Sequence, residues 1–404
     1  MAQRLSWSRA FFADLRLTSK LKHLVLQRYV KEFAYHLGSK RSSLYYVDGF
    51  AGPGTYGGAG SKIEKGSPLL VAELGKQIHD TKAAFTLKCL NVEEDRRHHA
   101  DLEAAAASFV PDIVEKNYLG SFTEAPPSIL DRIGDAPAFF FIDPLGTKGL
   151  PFRAIRPIFQ RFPPTEVLIT FHTDGIAKKA GRFASVDDPN PRRALVARKH
   201  TEVLAEALNL PWDTLRGWWR ECVQEGRGGT PAFEERVLAR YVEILRGPAT
   251  RFQFTKTFPV FYYRPDAPPG IGAPICFNLV FATQHKMGLY KMNDCMVDAL
   301  DRFYEDEYGH TFFPQFRQQI DKAKDLMALK TAILARFSSR PFTIDQVKQT
   351  LMQEARFLVR GAEYSKAVRE LSRAQHLHKL DGGPINNETT RFAVGSSPPK
   401  GPLA

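Results

Sequence analysis

The residues best suited to chemistry lie in two stretches, Tyr45-Tyr-Val-Asp-Gly-Phe-Ala-Gly-Pro-Gly-Thr55 and Phe139-Phe-Phe-Ile-Asp-Pro-Leu-Gly-Thr147. Each ends a run of strand-forming apolar residues in an acid and follows it at once with a turn containing Gly or Pro. In a parallel α/β sheet that is where a ligand sits, because acid and turn both fall at the carboxyl edge of a buried strand. The first turn reads D-x-F-x-G-x-G, with Asp48, Gly49, Phe50, Ala51, Gly52 and Gly54 as candidate ligand-binding residues. Its glycines let the backbone pass close to a ligand, on which Phe50 can pack. It lacks both the third glycine of a dinucleotide fingerprint and the Gly-Lys-Ser/Thr of a phosphate loop. A nucleoside-type cofactor without phosphates fits better. A third acid, Glu93, follows the strand Phe85–Val92 and has the position to accept both hydroxyls of a ribose, while Glu94 or Asp95 beside it can cap the next helix. Phe50 and the turn Gly120-Ser121-Phe122 line a slot for the base, with Ser121 standing where an acid for its amino group would be expected.

The elements that must position these residues alternate. Residues 18 to 37 place Leu21, Leu24, Val25, Tyr29 and Phe33 at helical spacing, with Thr18 or Ser19 as cap. A strand follows at 43–48. A helix then opens at Ser67-Pro68, with Ser67 as cap. Next come a strand at 85–92, a polar helix from 96, a strand near 113–118, a helix near 128–133 and the strand 138–142 that delivers Asp143. One more strand, 166–171, completes a doubly wound order with right-handed crossovers. Lys148, His172 and Asp174 fall on the same edge. From 176 to about 250 the text is helical and polar, with Trp212, Trp218 and Trp219 and the basic cluster from Arg192 to Lys199. Strand signals return at 258–263 and 275–283, joined by a Pro- and Gly-rich loop, Arg264 to Ala273, that suits an antiparallel pair. Five parallel strands ending in such a pair give an α/β, Rossmann-like seven-stranded sheet of the methyltransferase type, with 176–250 as a helical insertion.

The C-terminal quarter has another rhythm. Helical patterns at 322–337, 344–352 and 363–377, then a hairpin at 379–394, predict a winged helix over 311–395, before a disordered tail at 396–404. On its third helix Val368 and Leu371 point inward, while Lys366, Arg369 and Arg373 recur on one side and would face phosphate. Charge supports this. The chain carries a formal net charge of +12 at a pI of about 9.4, which fits a polyanionic partner. Residues 311–404 hold 15 Lys and Arg against 8 Asp and Glu. No apolar run approaches the roughly 18 to 20 residues of a membrane span, and the N-terminus lacks the apolar core of a secretory signal, so the cytoplasm is expected. Cys89, Cys222, Cys276 and Cys295 are far apart and show no metal-ligand spacing, which predicts neither disulfides nor a zinc site.

Lys22-His23, Y-V-D-G-F-A-G-P-G-T-Y, G-S-P at 66–68, N-V-E-E-D, F-F-F-I-D-P-L-G and F-N-L-V-F-A-T-Q-H-K-M-G-L-Y-K-M at 277–292 together resemble the three-Cys-motif partner family, TcmP, over residues 15 to 300. That family resembles class I S-adenosylmethionine-dependent methyltransferases; the leading helix and glycine motif also resemble 23S rRNA adenine-N6 methyltransferases. The resemblance implies a 1–310 methyltransferase-like domain, S-adenosyl-L-methionine as cofactor, and a partner protein with three clustered cysteines. Asp48, Phe50, Gly52 and Gly54 match its motif I, Glu93 its ribose acid, and Asp143-Pro144 the catalytic motif that holds a target nitrogen. Leu145 and Gly146 depart from the usual Pro and Tyr there and are closer to the D-P-F-G of tRNA guanine-N2 dimethyltransferases. The expectation is methyl transfer to a base nitrogen in RNA or DNA, with the insertion capping an unpaired base. The alternative is a non-catalytic adaptor that keeps the fold, binds nucleic acid and leaves the chemistry to the three-cysteine-motif partner.

Overall fold

The computed structural model describes residues 15–57, 63–144, 146, 150–172, 175–176, 182–224, 230–263, 274–309, 312–354, 357–382, 384–385 and 387–395. Leu145, Lys148, Asp174, the 264–273 loop and the 396–404 tail lie outside them. The chain divides into two compact units: Met1–Thr255 with Pro259–Tyr262 and Gly270–Gln284, and Lys256–Phe258 with Tyr263–Pro269 and His285–Ala404.

The first unit is built on helix α1 (Leu17–Gly38), which buries Leu21, Val25, Leu26, Tyr29, Val30 and Phe33. It starts straight after extended Arg16 with no side-chain cap; Ser19, expected as a cap, is instead buried within the helix. Strand β1 (Ser43–Asp48) follows, then a two-residue hairpin, β2 (Thr55–Tyr56) with β3 (Glu64–Lys65), which closes the base of the glycine turn. The alternation continues through α2 (Ser67–Asp80), β4 (Thr86–Glu93), α3 (Arg96–Ala106), β5 (Val114–Leu119), α4 (Pro126–Ile133), β6 (Ala138–Ile142), α5 (Phe152–Phe159) and β7 (Thr165–Phe171). Helices α6 (Pro191–Leu208), α7 (Trp212–Gln224) and α8 (Thr230–Leu245) then precede β8 (Phe254–Phe261) and β9 (Ile275–Thr283).

The seven strands lie in the order β5-β4-β1-β6-β7-β9-β8. β5, β4, β1, β6 and β7 pair in parallel, and β9 runs antiparallel to β7. This is the order expected of a Rossmann-like methyltransferase sheet. Every residue of β6 and β7 is buried, as for strands covered on both faces. One cluster, including Val47, Leu90, Phe140, Ile142, Ile169 and Phe171, continues into Leu204, Leu208, Leu215, Phe233 and Tyr241 of α6 to α8. Apolar burial on that scale fixes the strand ends, and with them the edge where the acids sit.

In the second unit, α9 (Lys286–Tyr308) and α10 (Phe312–Arg336) precede β10 (Phe342–Thr343), α11 (Ile344–Leu351), α12 (Gly361–Arg373), β11 (Leu377–Lys379) and β12 (Arg391–Val394). The three strands form an antiparallel sheet in the order β10-β12-β11. Thr343 begins α11 with a full capping box to Gln346. Leu329, Ile333, Phe337, Phe342, Val347, Tyr364, Val368, Leu371 and Phe392 make its core. Among the described residues no helix is long and apolar enough to cross a membrane.

Candidate functional site

Strand register assembles the acids. Asp48 ends β1 opposite Asn91 of β4 and Phe141 of β6. Glu93 and Asp143 each lie two residues further along those flanking strands. Three carboxylates thus reach one sheet edge from three adjacent parallel strands. Two further links fix the turn between them: Gly49 N–H donates to the Phe141 carbonyl at 2.9 Å and Ala51 N–H to the Val92 carbonyl at 3.0 Å.

Asp48 faces inward. Fully buried, it accepts from the Tyr46 hydroxyl at 2.9 Å and from the Phe50 amide at 3.1 Å. Burial pushes its carboxyl up to about 6, against the Ser67 hydroxyl, the Phe50 amide and Tyr46, which favour the ionised form. The helix cap expected of Ser67 therefore falls to Gly66, because the Ser67 hydroxyl turns to Asp48 instead. Gly52 and Gly54 adopt φ values of 62° and 79°, the left-handed region open to glycine at little cost. A Cβ on Gly49 would meet the Phe122 ring at 2.8 Å. Phe122 is buried, with its ring 5.5 Å from that of half-buried Phe50, and the Ser121 hydroxyl pairs with that of Thr123 at 2.9 Å. Gly120 has open space where a Cβ would stand.

Glu93 is held by backbone. Its Oε2 accepts the Gly52 N–H at 2.8 Å and its Oε1 the Asp95 N–H at 2.7 Å. Each oxygen keeps further acceptor capacity. Asp95 serves as the N-cap of α3, accepting from the amides of Arg97 and His98. The carboxylate also draws the Gly52 amide to β4, so Glu93 and the glycine turn are tied together.

Asp143 is held by a side chain. The Lys22 ammonium, carried on the buried face of α1, donates to Asp143 Oδ2. That ammonium also lies 5.9 Å from the Phe141 ring centroid and 5.6 Å from that of Phe277. Burial is the largest influence on Asp143 and opposes its ionisation, but the Lys22 charge and hydrogen bond, the Thr170 hydroxyl and His172 together outweigh it and hold the carboxyl below its usual range. His23, beside it, is pushed down to about 3, chiefly by burial and then by Lys22, so it is a neutral imidazole whose Nδ1 has no partner. Its ring stands 6.0 Å from that of Tyr56. His172, with its ring 5.5 Å from that of Phe277, also favours the ionised form of Asp143. Pro144 is buried after it.

Lys22 and His23 belong to this site, although reading the residue types alone assigns them no role there. The signal was present: a Lys-His pair interrupts the buried stripe Leu21, Val25, Leu26 of an otherwise apolar helix face, and a buried lysine needs a partner. In the second unit, Lys366 and Arg373 are exposed on α12 and Arg369 is half-buried. Lys366 pairs with Glu363 at 3.6 Å.

No family model matches the chain, and no curated protein does. Among solved structures it is similar to the plantazolicin methyltransferase BamL, crystallised with a triazolic desmethylPZN analog and SAH, at 10% identity over 67% of this chain and 85% of that chain, with a TM-score of 0.29. Likeness at that level transfers neither a substrate nor a residue role.

Proposed function

We propose that the chain is an S-adenosylmethionine-dependent methyltransferase acting on an amino nitrogen of RNA or DNA. The observation that carries this reading is the convergence, on one edge of a sheet with this strand order, of a left-handed glycine turn, a backbone-fixed Glu93 and a half-buried Asp143 paired with buried Lys22. The residues fit such a cofactor. Gly52 and Gly54 allow close approach, Glu93 has lone pairs left for two ribose hydroxyls, Phe50 and the open face of Gly120 suit the base, and the orphaned His23 Nδ1 offers a polar contact. When bound, the cofactor supplies an electrophilic methyl group. The protein's own part is positioning: an ionised, immobile Asp143 accepts a hydrogen bond from the target N–H and aims the nitrogen lone pair along the line of attack. A neutral His23 adds no competing charge there.

The order helix, short strand, helix, helix, two-strand ribbon in the second unit supports a winged-helix reading, with Lys366, Arg369 and Arg373 toward phosphate. The TcmP-like motifs support a three-cysteine-motif protein as partner. One observation favours a second reading, an adaptor without catalysis: both oxygens of Glu93 and one of Asp143 already have protein donors.

The test is to incubate the protein with labelled cofactor and total cellular RNA or DNA. Label is expected in one nucleic-acid fraction, falling at least ~100-fold in Asp143→Ala with cofactor binding retained. Label transfer that survives Asp143→Ala would sink the catalytic assignment. Calorimetry showing no heat with cofactor would favour the adaptor.

A further inference from the structure

The three helices between β7 and β8 carry a cationic surface that the site does not use. Over its first two turns α6 exposes Arg192, Arg193, Arg198 and Lys199 together with Leu195 and Val196, which are 54% and 43% accessible. Its buried stripe, Ala197, Thr201, Leu204 and Leu208, faces the core. From α7 come Arg216 and exposed Arg220, and Arg198, Arg216 and Arg220 all act on Asp187, holding its carboxyl below the usual range. Three arginines from two helices therefore act on one carboxylate, and only Arg216 touches it. Arg216 pairs with Asp187, and Arg193 reaches Asp188 at 4.0 Å. Arg192, Arg198, Lys199 and Arg220 make no ion pair among the described residues. Half-buried indoles that pack on the core lie on two ion-paired arginines of the same helices: Arg216 is 5.9 Å from the Trp212 ring, and Arg236, paired with Glu221 at 2.6 Å, is 4.8 Å from that of Trp218.

Unpaired cations on ordered helices repel one another, and the arrangement is relieved by a partner that brings many negative charges at once. The exposed aliphatic side chains Leu195 and Val196 among the cations, with half-buried indoles on the neighbouring helix, suit a partner that also has apolar faces, as an unpaired strand with accessible bases does. An acidic protein would answer the charge but not the exposed aliphatic side chains Leu195 and Val196 set among it. On α12, by contrast, Lys366 is already paired with Glu363.

We infer that the exposed α6–α7 face is a binding track for the phosphodiester backbone of a single-stranded nucleic acid, the strand from which the target base is presented. This rests on the nucleic-acid reading of the site and adds where the substrate runs. Arg192 to Lys199 spans two helical turns, roughly 10 Å, enough for several phosphates. Four cations neutralising four phosphates of a single strand contribute about 3 to the slope of log K against log salt.

The experiment uses the full chain and a short fluorescein-labelled single-stranded RNA, with DNA of the same sequence alongside, titrated across a salt series. Arg192→Gln/Arg193→Gln/Arg198→Gln/Lys199→Gln should bind about tenfold or more weakly at low salt and lose about 3 from the slope. Replacing the three arginines by Lys, with Lys199 kept, should restore both. These side chains are exposed, so an unchanged melting temperature is expected and separates the effect from misfolding. A parallel Lys366→Gln/Arg369→Gln/Arg373→Gln variant locates the contact. An unaltered slope in the α6 variant, with loss only in the α12 variant, would overturn the track while leaving nucleic-acid methylation standing. Displacement of the RNA by polyglutamate as effective as by unlabelled RNA would also overturn it, in favour of an acidic protein. A wild-type chain that binds neither RNA nor DNA yet labels another class of molecule would remove the nucleic-acid reading itself.

Discussion

Two halves of one sheet edge hold their carboxylates by different means. On the side of β1 and β4, Glu93 is fixed by the backbone amides of Gly52 and Asp95, and Asp48 by the Phe50 amide and two hydroxyls. On the side of β6, Asp143 is fixed by the ammonium of Lys22, from a helix 121 residues earlier. Amide donors hold the carboxylate's position without bringing a charge of their own, which suits ligand binding. A buried cation does something else: it sets the protonation state, which suits chemistry that needs an ionised acceptor at all working pH values. Damage should therefore be electrostatic on one side and conformational on the other.

The largest expected effect is on the cationic side. Lys22→Met leaves the half-buried Asp143 carboxylate without its buried partner and should lower stability by about 3 kcal/mol, the low end for a buried pair because Asp143 keeps some contact with water, read from denaturant midpoints. Lys22→Met/Asp143→Asn should recover most of that loss, since the stranded charge is gone. In any protein that still folds, the acid limb of the activity profile should move to higher pH, because Asp143 loses the charge that keeps it low. An equal loss in single and double variants would mean that Lys22 acts by packing alone.

Away from the site, Glu166 sharpens the same contrast as a buried acid with hydroxyl donors and, among the described residues, no cation acting on it. It accepts from Tyr29 at 2.7 Å and from Thr283 at 2.8 Å, and burial pushes its carboxyl up to about 7 despite both. The native state therefore keeps this proton between about pH 4.5, where the unfolded carboxyl loses it, and 7. More protons bound in the native state mean that stability falls as pH rises through that window. Asp48 acts in the same sense and His23 in the opposite one, so the difference between wild type and Glu166→Gln is the measure. From pH 5 to 8 wild type should lose about 2–3 kcal/mol relative to Glu166→Gln. Parallel pH curves for the two proteins would assign Glu166 an ionised state throughout.

How much of this was legible in sequence follows the same division. The strands at 43–48, 138–142 and 275–283 lie where the apolar runs put them, because a strand buried on both faces is written as a continuous run. The glycine turn and the Asp95 cap were legible because each is made within a few residues of itself, whereas the bond from Gly52 to Glu93, 41 residues apart, was not. The Lys22–Asp143 pair was not, since no local rule connects side chains so far apart in the chain. Ser67 looked like a cap for the same reason: the acid that claims its hydroxyl is on another strand. The two-residue strands β2, β3 and β10 carry too few residues for any periodicity to show.

On the backbone side the expected effects are smaller and conformational. Gly54 sits at φ 79°, and a Cβ there would come within 3.0 Å of Leu102 and 3.4 Å of Leu69. Gly54→Ala should cost about 1–3 kcal/mol and weaken cofactor binding, with no change in the pH profile of whatever activity remains. A shifted profile would show that the turn also tunes Asp143.

The smallest change to the fold should come from Glu93→Gln. The amide keeps one oxygen to accept from Gly52 or Asp95 and turns its NH2 toward the other donor, a loss of about 1 kcal/mol in stability. Salt should not alter that loss, because the donors are neutral amides. Cofactor affinity measured by calorimetry should fall more than the fold does, roughly tenfold or more, since hydrogen bonds from ribose hydroxyls to a charged acceptor are the stronger kind. An affinity unchanged in Glu93→Gln would mean that this carboxylate serves only to tie Gly52 to β4, and the two halves of the edge would then differ in how they are held but not in having separate tasks.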